Sequence, residues 1–84
     1  MKKVTIQVEG MMCGMCEAHI NDALRRAFPK AKKVVSSHKK AESSFITDEE
    51  INEESVKTAI ENTGYHFQSM QVEPYVKKGL FGRG

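Results

Sequence analysis

The chain has 84 residues, of which 39% are apolar and 29% are charged, and its formal net charge is +2. This length accommodates one small domain with a modest core, which excludes a large cofactor cleft and multi-part catalytic machinery. Residues 1–40 carry nine basic and three acidic side chains and residues 41–84 carry four and eight, a split that favours docking onto a charged protein over binding nucleic acid.

The first third of the chain predicts a strand, a loop and a helix. Apolar residues from Val4 to Val8 alternate with polar ones, which is typical of a half-buried strand, and Gly10 ends the alternation. The spacing of apolar residues then predicts a helix over 16–27, which Pro29 stops. The apolar stripe of this helix consists of Ile20, Ala23, Leu24 and Ala27.

The rest of the chain predicts a hairpin, a second helix and a last strand. The hairpin strands are expected over 33–38 and 42–47, and the last strand over 67–72. Asn52 is expected to cap the second helix, and Gly64 to take the C′ position after its end. Four polar residues of the hairpin stand where apolar ones would be expected, so the pattern does not decide which side chains face the core and the register stays open: Ser36, His38, Glu42 and Ser44.

This order of elements predicts an α+β domain with two helices on one face of a four-stranded antiparallel sheet. We expect residues 1–73 to form the domain and the basic, glycine-rich residues 74–84 to be a disordered tail, too short for stable membrane anchoring. The sequence has neither the apolar run of a signal peptide nor the roughly 20 apolar residues of a membrane span. A cytoplasmic protein with reduced thiols is therefore expected.

Cys13 and Cys16 are the only two cysteines and lie in a glycine-rich loop before the first helix. The unpaired N–H groups at a helix N-terminus stabilise thiolates, and the thiolate is the form that binds metal. Two thiolates suit a soft ion such as Cu(I), whereas a structural zinc site takes four ligands and the three histidines are scattered along the sequence. A thiol–disulfide redox pair and a pair of inert thiols are the other interpretations.

A longer motif surrounds these cysteines: Gly10-Met11-x-Cys13-x-x-Cys16, then Ile20 and Leu24, then Gly64-Tyr65. In this motif the chain resembles the heavy-metal-associated domain family, most closely bacterial copper chaperones of the CopZ type. The resemblance covers residues 2–73 and implies a ferredoxin-like βαββαβ sandwich.

The resemblance also implies roles for four residues of the motif. Cys13 and Cys16 would hold one Cu(I) per chain, Met11 would turn into the core beneath the loop, and Tyr65 would lie near the metal. Met12 stands where relatives often have Thr or His, and it favours Cu(I) over a harder ion. Met15 is expected to be an exposed loop residue, with a weak third contact to the metal as the alternative.

The function that these residues predict is that of a non-enzymatic carrier that passes Cu(I) to a partner by thiolate exchange. By resemblance, the partner is the metal-binding domain of a copper-transporting P-type ATPase or another acidic acceptor, and a metal-bridged homodimer is allowed. The alternatives are a carrier of Hg(II), Cd(II) or Zn(II), a thiol–disulfide redox protein, and a domain of a larger ATPase.

One cluster of basic residues is either a solvated face or a docking surface for an acidic partner. It consists of Arg25, Arg26, Lys30, Lys32 and Lys33.

Overall fold

Four strands form one antiparallel sheet, and the first strand of the chain is an inner strand of it. The computed structural model describes residues 1–12 and 14–75. Its elements in chain order are β1 (Lys2–Glu9), α1 (Gly14–Ala27), β2 (Lys32–Ser37), β3 (Glu42–Thr47), α2 (Glu53–Glu61) and β4 (His66–Pro74). The strand order is β2-β3-β1-β4, which confirms the predicted βαββαβ fold class. Neither described helix is long and apolar enough to cross a membrane.

One hydrophobic core lies between the sheet and the two helices. The alternating apolar residues of β1 from Val4 to Val8 are buried, as their period of two predicts. In α1 the predicted stripe is buried at Ile20 and Leu24, but Ala27 is exposed because it lies at the end of the helix. Other almost fully buried apolar side chains come from β3 and α2: Phe45, Val56 and Ile60.

A bulge in β2 decides which of two adjacent valines faces this core. The pairing of β2 with β3 shifts between Lys32 and Val35, and Lys33 has a positive φ of 53°. The extra residue turns Val34 into the core and leaves Val35 exposed. The register of this hairpin, which the sequence left open, is therefore fixed in part by a backbone irregularity.

A second bulge lies in β4. Ser69 pairs with Gln7 whereas Phe67 pairs with Val8, so β4 has one more residue than β1 between these two pairs. Because of this extra residue, Phe67 and Met70 both pack against the core although they are three positions apart. The bulge lies near the end of β1 that leads into the cysteine loop.

The polar residues of the hairpin find their partners on α1. The Ser36 hydroxyl donates to Oδ1 of Asn21 over 2.6 Å, and its oxygen lies 2.8 Å from Oγ of Ser43, which is almost fully buried. One turn earlier in α1, Oε2 of Glu17 lies 2.6 Å from Nδ1 of His38. These five residues form a polar seam between α1 and the β2–β3 hairpin.

The ends of α2 follow the predicted capping with one correction. The Asn52 side chain accepts a 2.8 Å hydrogen bond from the backbone N–H of Glu54, which confirms the predicted N-cap. The C-cap is Asn62, so Gly64 is not at the predicted C′ position but one residue further on. Its φ of +98° is the left-handed conformation that favours glycine, and the chain turns there towards β4.

The described chain reaches two residues into the segment predicted as a tail. Pro74 is the last residue of β4 and is paired with Lys2. The backbone N–H of Tyr75 donates to the carbonyl oxygen of Met1 over 2.9 Å. The remaining residues of the predicted tail, 76–84, lie outside the described residues.

We predict that Asn21→Ala lowers the free energy of unfolding by about 0.5–1.5 kcal/mol, because it removes the hydrogen bond that the half-buried Ser36 hydroxyl donates to Oδ1 of Asn21. Chemical denaturation measures the change. The matched control is Asp22→Ala at the next position, which removes an exposed ion pair to Arg25 and is expected to cost less than about 0.5 kcal/mol. Equal losses in the two variants would contradict a structural role for the seam.

Candidate metal centre

The cysteine loop lies where the central strand β1 ends and α1 begins. Cys16 is in the first turn of α1, is half-buried, and packs against residues of the core. Cys13, the other predicted metal ligand, lies outside the described residues. Within the described part of the chain, no group of three or more His, Cys, Asp or Glu side chains could hold a metal ion. The candidate site remains the one that the sequence predicts, the two-cysteine loop and the residues that support it.

The three methionines around the cysteines divide between the core and the surface. Met15 is exposed as expected, but it lies in the first turn of α1 rather than in the loop, because the helix begins at Gly14, two residues before the predicted start. Met11 is only 8% exposed and belongs to the hydrophobic core cluster. Met12 and Met15 are 79% and 71% exposed. Met11 thus ties the start of the loop to the core, while two thioether side chains remain accessible beside the cysteine positions.

Tyr65 packs directly against the start of the loop. A Cβ atom added to Gly10 would lie 3.3 Å from Cδ1 of Tyr65, and Gly10 has a φ of +105°. Both the close approach and the left-handed backbone favour glycine at this position. The tyrosine ring is half-buried and contacts the core, so it fixes the loop from the side of α2 and β4.

Glu17 links the first turn of α1 to the hairpin. Its Oε2 accepts a 2.8 Å hydrogen bond from the backbone N–H of His38 and lies 2.6 Å from Nδ1 of the same residue. The backbone hydrogen bond, followed by the side-chain bond, holds the pKa of the Glu17 carboxyl below its usual value. The sequence assigned no role to His38, and no local signal could have done so, because its partner is 21 residues away.

The predicted basic cluster begins at the opposite end of α1 from the cysteines. Arg25 and Arg26 are in the last turn of the helix, about 17–18 Å from its first residue at 1.5 Å per residue. Lys30 lies within 3.8 Å of Glu49, and Arg25 within 3.4 Å of Asp22. The cluster is thus partly neutralised and lies away from the loop.

Two other lysines are nearer to the loop. Lys39 and Lys40 are exposed in the turn between β2 and β3, directly after His38. The carbonyl oxygen of Ala41, the next residue, accepts a 2.8 Å hydrogen bond from the backbone N–H of Val8. The hairpin turn is therefore attached at the loop end of both α1 and β1.

Comparison with known proteins agrees with this fold and motif. No family model matches the chain. The chain is 34% identical to a mercuric reductase of Bacillus cereus over 84 aligned residues, which cover 93% of the chain. It matches a second mercuric reductase, from Lysinibacillus sphaericus, at the same identity over 65 residues and 77% of the chain. The chain spans only 13% and 12% of the lengths of these two enzymes.

Solved structures match over nearly their whole length. The structure of a CopZ metallochaperone superposes with a TM-score of 0.70 at 25% identity, covering 79% of this chain and 98% of that protein. The yeast copper transporter domain CCC2A is 31% identical with a TM-score of 0.68, and the match covers 81% of this chain and 93% of that domain. The chain belongs to the heavy-metal-associated domain family.

We predict that Gly10→Ala lowers the free energy of unfolding by about 1–3 kcal/mol, because it combines a strained positive φ with a close contact to Tyr65. Gly14→Ala, at the first residue of α1, is the matched control. Its Cβ would meet no atom within 4 Å, and alanine favours the first turn of α1, so we expect no loss of stability and a gain of up to about 1 kcal/mol. Thermal denaturation of both variants compares the two effects, and a Gly10→Ala protein as stable as the wild type would refute the packing argument.

Proposed function

We propose that this chain is a non-enzymatic Cu(I) carrier that binds one ion through Cys13 and Cys16 and passes it to a partner protein. The observation that carries the proposal is the position of Cys16, half-buried in the first turn of α1 at the end of a loop anchored by the buried Met11. The N-terminal end of the α1 dipole favours an anionic thiolate in that turn. Two thiolates satisfy Cu(I), which prefers soft ligands.

Transfer by ligand exchange requires a site that a second protein can reach. An incoming thiolate forms a third Cu–S bond, and one of the original Cu–S bonds then breaks, so the ion moves without a change of oxidation state. The exposure of Met12 and Met15 supports such access, because the surface beside the cysteine positions is not covered by other parts of the described chain. The exchange needs no catalytic base, and we propose that it takes place in the cytoplasm.

Hg(II) is the second candidate cargo. The chain is 34% identical to parts of two mercuric reductases, and two thiolates also suit this soft ion. Both candidate cargoes use the same pair of cysteines, so they differ in the ion rather than in the site. Competition between the ions therefore decides between them.

We expect the reduced protein to bind one equivalent of Cu(I) more tightly than Zn(II), because two soft ligands do not complete a zinc site. Anaerobic titrations with Cu(I), Hg(II) and Zn(II), each against a coloured chelator, measure the three affinities. The Cys13→Ser/Cys16→Ser variant should stay folded and lose tight binding of both soft ions.

The matched control for this experiment is Met12→Leu/Met15→Leu, which removes the two exposed thioethers and keeps the thiols. We expect it to bind Cu(I) as the wild type does. Tight stoichiometric binding by the double-serine variant would refute the ligand assignment. Tighter binding of Hg(II) than of Cu(I), measured against chelators of equal strength, would favour Hg(II) as the cargo. Weak binding of every ion, together with a disulfide between the two cysteines that is readily oxidised and reduced, would favour a redox role.

The proposed partner is an acidic acceptor, such as the metal-binding domain of a copper-transporting P-type ATPase. Thiolate exchange brings the loop of the carrier against the loop of the acceptor, so charges beside the loop contribute most to the encounter. Lys39 and Lys40 are beside the loop, whereas Arg25 and Arg26 are at the far end of α1.

We therefore predict that Lys39→Glu/Lys40→Glu slows association with such an acidic domain about tenfold or more at low salt, and that the effect fades as salt rises. Arg25→Glu/Arg26→Glu carries the same change of charge and serves as the control, with a smaller expected effect. Stopped-flow transfer of Cu(I) measures both rates, and chelator competition checks that the affinity for the ion is unchanged. A larger effect at the arginines would place the docking face at the far end of α1.

A further inference from the structure

We propose that Glu17 is a positioning residue: by bonding to His38 it braces the first turn of α1 against the β2–β3 hairpin and holds Cys16 in place for the metal. The inference rests on the proposed function, since it assigns a part in the same site to residues outside the cysteine motif. It depends on the contacts of Glu17 rather than on its charge.

The contacts of Glu17 join two separate parts of the fold. One oxygen, Oε2, accepts from the backbone N–H of His38 at 2.8 Å and lies within 2.6 Å of its ring Nδ1. Glu17 directly follows Cys16 in α1, and His38 directly follows the last residue of β2. One of the two bonds is to the backbone of His38. The contact therefore fixes α1 relative to the main chain at the end of β2, and not only relative to the His38 side chain.

The first turn of α1 needs such support. The first turn of any α-helix receives fewer hydrogen bonds from its own backbone than later turns do, and helix ends fray unless other contacts hold them. The fully buried anchor of the helix, Ile20, comes a full turn later than Cys16. The next bond of the polar seam, between Ser36 and Asn21, is also one turn further on, since residues four apart share a helix face. Glu17 thus provides a hydrogen-bonded link from the first turn of α1 to the hairpin.

The consequence for metal binding is pre-organisation. A metal held by two thiolates requires both sulfur atoms at a fixed separation, and a frayed turn must be ordered when the ion binds. A brace that orders the turn beforehand removes that cost from the binding step. Without it, the affinity should fall and the ion should dissociate faster, while the core, which Glu17 does not enter, remains intact.

Three variants separate the brace from other effects of Glu17. Glu17→Ala removes both bonds, Glu17→Gln keeps an acceptor oxygen but not the charge, and His38→Ala keeps only the backbone bond. The control is Asp22→Ala, which also removes a carboxylate from α1 but breaks a bond within the helix, to Arg25 at 3.4 Å. Each protein is assayed for Cu(I) affinity by chelator competition, for global stability, and for amide hydrogen exchange in the metal-free state.

We expect Glu17→Ala to weaken Cu(I) binding about tenfold, at the lower end of the loss that removal of supporting hydrogen bonds near a metal site causes, because Glu17 bonds to the hairpin and not to a thiolate. Amide exchange at His19 and Ile20, whose helical acceptors lie in the first turn, should accelerate in the same variant. Glu17→Gln should restore most of both properties, His38→Ala should fall between, and the Asp22→Ala control should match the wild type.

Unchanged affinity and exchange in Glu17→Ala would overturn the brace. A Glu17→Gln variant as impaired as Glu17→Ala would also overturn it, because the loss would then come from the negative charge beside the metal. The proposed function fails separately, if the wild type binds neither Cu(I) nor Hg(II). In that case exchange in the metal-free protein still decides whether Glu17 holds the first turn.

Discussion

The central strand β1 is hydrogen-bonded to β3 on one side and to β4 on the other, and its inward side chains from Val4 to Val8 are almost completely buried. A strand paired along both edges has no freedom to slip, because a shift of one residue would turn its apolar side chains to solvent. Two residues after Val8 the chain leaves the sheet at Gly10 and enters the cysteine loop. The loop therefore begins at one of the most constrained points of the fold, and its position follows from the register of β1.

The loop combines accessibility with a fixed base. Met11 is buried in the core and Tyr65 packs on Gly10, so the entrance to the loop is held from two sides. Met12 and Met15, in contrast, face solvent. The proposed exchange of an ion with another protein requires both properties. A buried site could not be reached by an incoming thiolate, and a mobile one would bind weakly because its ligands must be ordered each time.

The polar seam joins α1 to the hairpin by hydrogen bonds, where apolar side chains could have packed instead. Hydrogen bonds are directional and require particular partners, so a chain such as Asn21–Ser36–Ser43 specifies one placement of helix on sheet, where apolar residues would tolerate several. The seam runs towards the cysteine end of α1 and ends in the Glu17–His38 pair. The same feature that orients the helix thus reaches the turn that carries Cys16.

The sequence by itself determined the elements and their order, because amphipathic periods and helix caps are local: alternation in β1, the stripe of Ile20 and Leu24, and the Asn52 cap all appear in the structure. It also singled out the two cysteines by their spacing. Only the tertiary structure decided the hairpin register and the partners of its polar residues. Lysine rarely adopts a positive φ, so nothing in the sequence indicates the left-handed backbone at Lys33 that accompanies the bulge. The bond between Glu17 and His38 joins residues that are 21 positions apart, and a local hydrophobic period cannot reveal such a contact.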